Sequence, residues 1–253
     1  MVKGVILLFG ILIGSFFNVC IYRIPRGESI VFPSSHCPSC KTPLGPKDLI
    51  PIVSYLIKKG KCSYCGQRIS LRYPFIEGLT GLTYMLLYDS LGFSFSFLFS
   101  LFFVSLLIII TGIDYDHQII PDLLVLWGIG GGVLYRLIEG ILENTAIGMV
   151  EGILGMVLGG GVLLLIAFLS KGGMGGGDIK LLGMIGLWLG WKLTIVTLFL
   201  SFFLGGFISI FLLLFRIKSR KDPIPFGPFI CLGAYLSYLW GNALLQAYFQ
   251  LFL

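Results

Sequence analysis

Long apolar runs recur along this chain, and they constrain its fold more than any other feature. A run of about 18 or more residues with few charges is long enough to cross a hydrocarbon core of roughly 30 Å as an α-helix. Of the 253 residues, 57% are hydrophobic and 12% charged, against about 25% charged in an ordinary soluble domain. A water-soluble fold is excluded, and most of the chain belongs in lipid.

Charge clusters and turn residues divide the runs into helices at 4–22, 73–90, 94–113, 120–138, 147–169, 179–191, 193–216 and 225–250. The pattern predicts an all-α polytopic membrane protein of about eight transmembrane helices. The apolar stretch after Lys3 is longer than a signal-peptide core, so it reads as a retained first helix. Three parts are expected: a first transmembrane helix over 1–22, an extramembrane domain over 23–72, and a transmembrane core over 73–253.

The distribution of basic residues sets the expected orientation. Nine of the eighteen Lys and Arg residues, from Arg23 to Arg72, lie in the polar segment after the first helix. Lys and Arg accumulate in loops that are not translocated, which puts this segment in the cytoplasm. Alternating across eight spans adds Lys171, Lys180, Arg216, Lys218, Arg220 and Lys221 to the same side, leaving only Lys3, Arg136 and Lys192 for the other. The formal charge of +6 therefore follows from membrane topology, and nucleic-acid binding is not expected.

The polar segment holds two CxxC pairs, Cys37 with Cys40 and Cys62 with Cys65, separated by residues 41–61. Four thiols in this pattern suit tetrahedral Zn²⁺, and a reducing cytoplasm favours metal over disulfides. A set of four thiolates leaves no open coordination position, so one structural zinc ion in a ribbon-like domain is expected. About fifty proline-rich residues bury little core, which makes a metal staple useful. Cys20 and Cys231, each alone in an apolar run, read as small buried hydrophobes.

Two connections carry carboxylates. The first, ITGIDYDHQIIPDLLVL, places Asp114, Asp116 and Asp122 at a helix boundary; the second, SKGGMGGGDIKLLGMIG, sets Asp178 behind a run of glycines. By the helix count both connections lie at the cytoplasmic face. An ionisable group at membrane depth is costly and normally faces protein or a wet cavity where it serves a function. Two carboxyl groups held close together cannot both ionise easily, so the pair shares a proton. That is the arrangement of an aspartic protease, in which one carboxylate takes a proton from water while its protonated partner hydrogen-bonds the scissile carbonyl. Gly175 and Gly177 would let the backbone approach an extended substrate. Asp122, just after Pro121, reads as a helix cap, and the residues alone do not choose between Asp114 and Asp116.

At GSFFNVCIYRIP (14–25), the paired CxxC motifs, RYPFIE (72–77), the D-x-D-x-x-x-x-PD pattern (114–122), GGGDIKLL (175–182) and IPFGPF (224–229), the chain resembles the type IV prepilin peptidases. These are bifunctional leader peptidases and N-methyltransferases related to other GxGD intramembrane aspartyl proteases. The resemblance implies Asp114 and Asp178 as the catalytic pair. Asp116, Gly175, Gly177, Lys180 and Glu77 are expected as supporting active-site or substrate-binding residues. The resemblance also implies S-adenosylmethionine as methyl donor, and as substrate a membrane-bound prepilin or pseudopilin precursor with a short basic leader, cut at the cytoplasmic face of a bacterial inner membrane. A proton-coupled carrier is the main rival, since carriers also use intramembrane carboxylates and glycine-broken helices. No inverted repeat is evident, and transport gives no reason for a four-cysteine domain.

Overall fold

In lipid the backbone has no water to bond, so a spanning segment must satisfy its amides internally, as helices do. The computed structural model describes residues 1–171, 173–217, 219, 222 and 224–252. Gly172 of the glycine run and Lys218, Arg220 and Lys221 of the last basic cluster lie outside the described residues. The helices are α1 (Val2–Arg23), α2 (Val53–Ile57), α3 (Arg72–Leu91), α4 (Phe95–His117), α5 (Asp122–Glu143), α6 (Ile147–Leu169), α7 (Gly176–Leu214) and α8 (Gly227–Phe252). Among the described residues the only β-structure is two isolated bridges. Among the described residues six helices, α1 and α4–α8, are long and apolar enough to cross a membrane, and α3, expected as a span over 73–90, is not one of them; this is a multi-pass membrane protein.

The chain forms two compact units, Met1–Ile109 and Ile110–Leu253. In the first, α1 packs on α3 through small residues. A Cβ at Gly10 would lie 2.7 Å from Gly81 Cα, and one at Gly14 would lie 2.8 Å from Glu77 Cα. Backbones this close are the usual means of helix association in membranes, where burial from water supplies no drive. In the second unit α6 and α7 make the same kind of contact. A Cβ at Gly155 would lie 2.2 Å from Gly186 O, and one at Gly159 would lie 2.7 Å from Leu182 O.

Two helix ends differ from the sequence expectation, for local reasons. The helix predicted over 94–113 continues to His117 and ends where Gln118 turns left-handed at φ 55°, its amide bonded to Asp114 O at 2.9 Å. Asp114 and Asp116 therefore lie on the last turns of α4, not in a loop. The helix predicted over 120–138 runs on to Glu143, held by Arg136 on Glu139 at 2.7 Å and by the Tyr135 hydroxyl donating to Glu139 at 3.1 Å. Asn144 in the left-handed region ends it.

The two helices expected over 179–191 and 193–216 are one hydrogen-bonded element broken at Gly190, whose φ of 75° and ψ of 168° are not helical. The 14 residues before the break, 176–189, rise only about 21 Å, too short to cross alone. The break frees carbonyls, and Arg136 binds them: its Nε donates to Leu187 O at 3.1 Å and its Nη2 to Trp188 O at 2.7 Å. Arg136, expected in an outer connection, is instead a buried prop at 8% exposure. Trp188 donates back to Gly128 O at 2.8 Å and stacks on Tyr135 at 5.6 Å, tying α5 to the break.

Arg136→Leu should cost more than about 3 kcal/mol, because it leaves two buried carbonyls without a donor and removes the cation paired with Glu139. Thermal unfolding in detergent checks this, with Arg136→Lys expected to fall between wild type and Leu.

Candidate active site and cysteine cluster

Three helix ends of the second unit bring the carboxylates together. Asp114, on the last turns of α4, is 5% exposed, and its Oδ2 accepts the amide of Gly227, the first residue of α8, at 3.0 Å. Asp178 lies in the first turn of α7. Its amide donates to Gly175 O at 3.1 Å, and its carboxylate accepts a hydrogen bond from the Gly175 backbone. The charge of Asp114 acts directly on Asp178, and both charges act on the buried thiol of Cys231, one turn into α8. The side chain of Thr111 also bonds that thiol. Two acids 64 positions apart in the chain thus lie within electrostatic reach of one another.

Burial separates the acids that the sequence leaves equivalent. Asp114 is buried, while Asp116 and its neighbours Tyr115 and His117 are exposed. Asp122 does not cap α5, since Pro121 holds that position. It instead pairs with Lys180 at 2.9 Å, both side chains largely in solvent, and so bridges the starts of α5 and α7. An exposed pair of this kind contributes about 0–1 kcal/mol and serves mainly as a register mark. Gly177 is needed for close approach: a Cβ there would meet Ile120 Cβ at 3.0 Å.

The sequence reading did not single out Gly227 or Cys231 as site residues. A Cβ at Gly227 would lie 2.6 Å from Asp114 Oδ2, so a side chain there would displace the acid. The one signal available is the IPFGPF stretch, whose glycine opens a helix between aromatic residues.

Glu77 belongs to the first unit. It is 6% exposed, its Oε2 accepts the Ile52 amide at 2.7 Å, and the side chain of Ser15 bonds it as well. Arg23 turns to backbone carbonyls, Ser29 O at 2.9 Å and Pro33 O at 2.8 Å.

The four patterned cysteines converge. Their Sγ atoms all lie within 4.8 Å of one another, and Cys37 and Cys65 are 3.9 Å apart. Four sulfurs at about 2.3 Å from one ion, set tetrahedrally, would stand about 3.8 Å apart, so the donor set fits one metal ion. The two knuckles repeat one design. Lys41 N donates to Cys37 O at 2.9 Å and Cys37 N to Thr42 O at 3.0 Å; Gly66 N donates to Cys62 O at 3.1 Å and Cys62 N to Gln67 O at 2.9 Å. The residue after each second cysteine is left-handed, Lys41 at φ 59° and Gly66 at φ 71°. The Thr42 side chain and amide pull the Cys40 thiol down to about 6, and the amides of Cys65 and Tyr64 lower Cys62, so these two favour thiolate; burial and the neighbouring thiols push Cys65 up to about 11. His36 bonds Ser34 O at 3.1 Å and is not in the donor set.

Asp48 braces the second knuckle. It accepts from Lys58 and, at 2.9 and 3.2 Å, from the hydroxyls of Ser63 and Tyr64, while the Gly45 amide donates at 2.8 Å. Lys58, then the Gly45 amide and Ser63, hold its carboxyl well below the usual carboxylate range.

Comparison with known proteins agrees with this layout. Residues 8–91 match the bacterial peptidase A24 N-terminal domain, and residues 101–210 match the type IV leader peptidase family. The chain is 35% identical over 248 residues to a prepilin leader peptidase/N-methyltransferase of Bacillus subtilis, covering 98% of each chain. It is 34% identical to one of Aeromonas hydrophila, covering 99% of this chain and 94% of that one. It is 32% identical to one of Pseudomonas aeruginosa, covering 96% and 92%. No solved structure matches the chain.

The cysteine geometry predicts one bound metal ion per chain, lost in Cys65→Ser. Metal analysis of the purified protein checks the count. Chelation should lower the stability of the first unit by about 3 kcal/mol or more, since a small domain draws its folding energy from the metal.

Proposed function

We propose that this chain, which belongs to the type IV leader peptidase family, is a membrane aspartyl endopeptidase that removes the leader of prepilin or pseudopilin precursors. Asp114 and Asp178 are its catalytic pair. The observation that carries this reading is the meeting of the two acids, one buried and anchored by the Gly227 amide, the other opening a short half-helix. Their mutual electrostatic contact supports a pair that holds one proton between them.

In this reading the unprotonated carboxylate takes a proton from water as it attacks the scissile carbonyl. The protonated partner hydrogen-bonds the carbonyl oxygen and then helps the amine leave. The glycines before Asp178 leave bare backbone amides beside the pair, where an extended substrate strand can bond them. Asp116 and Lys180, exposed at the same helix ends, meet the polar leader, and Lys180 is held in place by Asp122.

The relatives carry N-methyltransferase in their names, and we extend that activity to this chain. S-adenosylmethionine supplies the methyl group for the new N-terminal amine. The four cysteines hold structural Zn²⁺, a closed set with no position left for chemistry. The chain sits in a bacterial inner membrane with the four-cysteine segment and the cleavage site at the cytoplasmic face, as its basic residues favour.

Asp114→Asn and Asp178→Asn should each lower leader cleavage by at least about a hundredfold while leaving membrane insertion and metal content unchanged. Cleavage of a purified precursor, read by the mobility shift and the new N-terminus, measures this. Retained activity in the double variant would remove the aspartyl assignment.

A further inference from the structure

The four-cysteine segment carries an apolar patch that its own fold leaves uncovered. Leu49, Ile50, Val53, Leu56 and Ile57 are all exposed, Leu56 at 67% and Ile57 at 74%. Val53, Leu56 and Ile57 stand at i, i+3 and i+4 of α2, so they form one stripe. Tyr55 turns inward, its hydroxyl donating to Ile69 O at 3.3 Å. A contiguous apolar patch of this kind marks a contact with a membrane or with another protein.

The level of the patch along the neighbouring helices decides between the two. α1 is long and apolar enough to cross a membrane, and α3 runs antiparallel beside it. Gly10 meets Gly81, Gly14 meets Glu77, and Asn18 Nδ2 donates to Tyr73 O at 3.1 Å. Glu77 thus lies beside the middle of a membrane-crossing helix, about 7.5 Å past Arg72, the first residue of α3. Its Oε2 accepts the Ile52 amide at 2.7 Å, and a Cβ at Gly78, one residue deeper, would meet Ile52 Cδ1 at 3.9 Å. Ile52 is therefore held about 5–10 Å to the bilayer side of Arg72, the depth at which interfacial apolar faces bury. Leu49, Ile50 and Val53, within three residues of it, come down with it.

The chain makes this approach through a strained turn. Ile52 sits at φ 60° and ψ −52°, and Val53 N donates to Pro51 O at 2.6 Å. That form of the three-residue turn is rare for any residue and worse for a β-branched one. It persists only where surrounding structure enforces it.

Charge favours lipid as the partner. Lys47, Lys59 and Lys61, all exposed, flank the patch, while Lys58 is taken by Asp48. From Arg23 to Arg72 the chain holds nine basic residues against two acids, Glu28 and Asp48. Basic residues beside an apolar face suit anionic headgroups. A second apolar finger stands at the same end. Arg23, the last residue of α1, donates to Ser29 O and Pro33 O, which holds the exposed Ile30, Val31 and Phe32 close to the helix end. A protein partner would have to enter the bilayer to cover Leu49 and Ile50, whereas lipid is already there.

We propose that the four-cysteine segment docks on the bilayer that the chain itself spans, inserting Leu49, Ile50, Val53, Leu56 and Ile57 at the headgroup–acyl boundary. Lys47, Lys59 and Lys61 meet the phosphates of anionic headgroups. The contact gives lipid cover to a segment too small to bury its own apolar residues, and it makes that cover respond to anionic lipid. It holds whatever reaction the chain performs.

The test uses the full chain with its metal bound, in nanodiscs of phosphatidylcholine mixed with phosphatidylglycerol. Ile57→benzoylphenylalanine places a photoreactive group on the patch, and unchanged thermal unfolding shows that the fold is kept. After irradiation, mass spectrometry should find the label on lipid, with phosphatidylglycerol enriched about fivefold or more over its share of the bilayer. Adding Lys47→Gln, Lys59→Gln and Lys61→Gln should abolish that enrichment. In the unsubstituted chain, Leu56 and Ile57 should escape oxidation by hydroxyl radicals generated in the surrounding water, a result that needs no variant. Label recovered on a second copy of the chain or on an added precursor, adducts with no preference for phosphatidylglycerol, or ready oxidation of Leu56 and Ile57 would overturn the proposal.

Discussion

The bond from Arg136 to the carbonyls of Leu187 and Trp188 is the interaction on which the second unit depends. A helix cannot simply stop inside a hydrocarbon layer, because each freed carbonyl costs several kcal/mol there. A guanidinium with five donors in a rigid fork can end one, and Glu139 keeps that guanidinium oriented. With its carbonyls held, the chain turns at Gly190 and starts again. The first half of α7 is thereby shortened to about four turns, which sets how deep its N-terminus, and Asp178 with it, can lie. A continuous α7 of 39 residues would reach about 58 Å, far beyond one bilayer.

Close helix approach does the rest of the positioning. The Gly155 and Gly186 backbones leave no room for a methyl group, so α6 holds the half-helix on one side. Gly227 does the same for Asp114 and adds a hydrogen bond. In water such glycines would weaken helices by about 1 kcal/mol each. In lipid, where helix propensity matters less than contact, they are what lets backbone pack on backbone.

The large features were legible because they depend on composition along a run. Apolar length showed the spans, and paired CxxC spacing showed the donor set that the structure closes to within 4.8 Å. The break in α7 was visible as a short sixth helix before Trp191 and Lys192. What could not be read depends on contacts between distant residues. Asp114 and Asp116 sit two apart on one helix, and only the packing of α4 buries one and leaves the other in solvent. Arg136 looked like an ordinary loop cation, since nothing near it in sequence reveals the carbonyls 51 and 52 positions away. Gly227 lies 113 positions from the acid it anchors. Ile52, at φ 60° with its amide on Glu77, was hidden for another reason: no propensity favours isoleucine at positive φ, so its conformation is imposed by the structure around it.

That imposed turn also gives the four-cysteine segment a purpose beyond its own stability. The segment is short of core, with Ile30, Val31, Phe32, Leu56 and Ile57 all exposed. Loose chain of this kind would relax a strained turn within it, because nothing would resist the relief of 1–3 kcal/mol. The two hydrogen-bonded knuckles, whose thiols fit one ion, and Asp48 gathering Lys58, Ser63 and Tyr64, fix both ends of residues 48–62 around Ile52. The knuckles on one side and the α1–α3 contact on the other hold Glu77 and the Ile52 amide at 2.7 Å. An ion bound by the four thiols would in this way also set the geometry around Glu77.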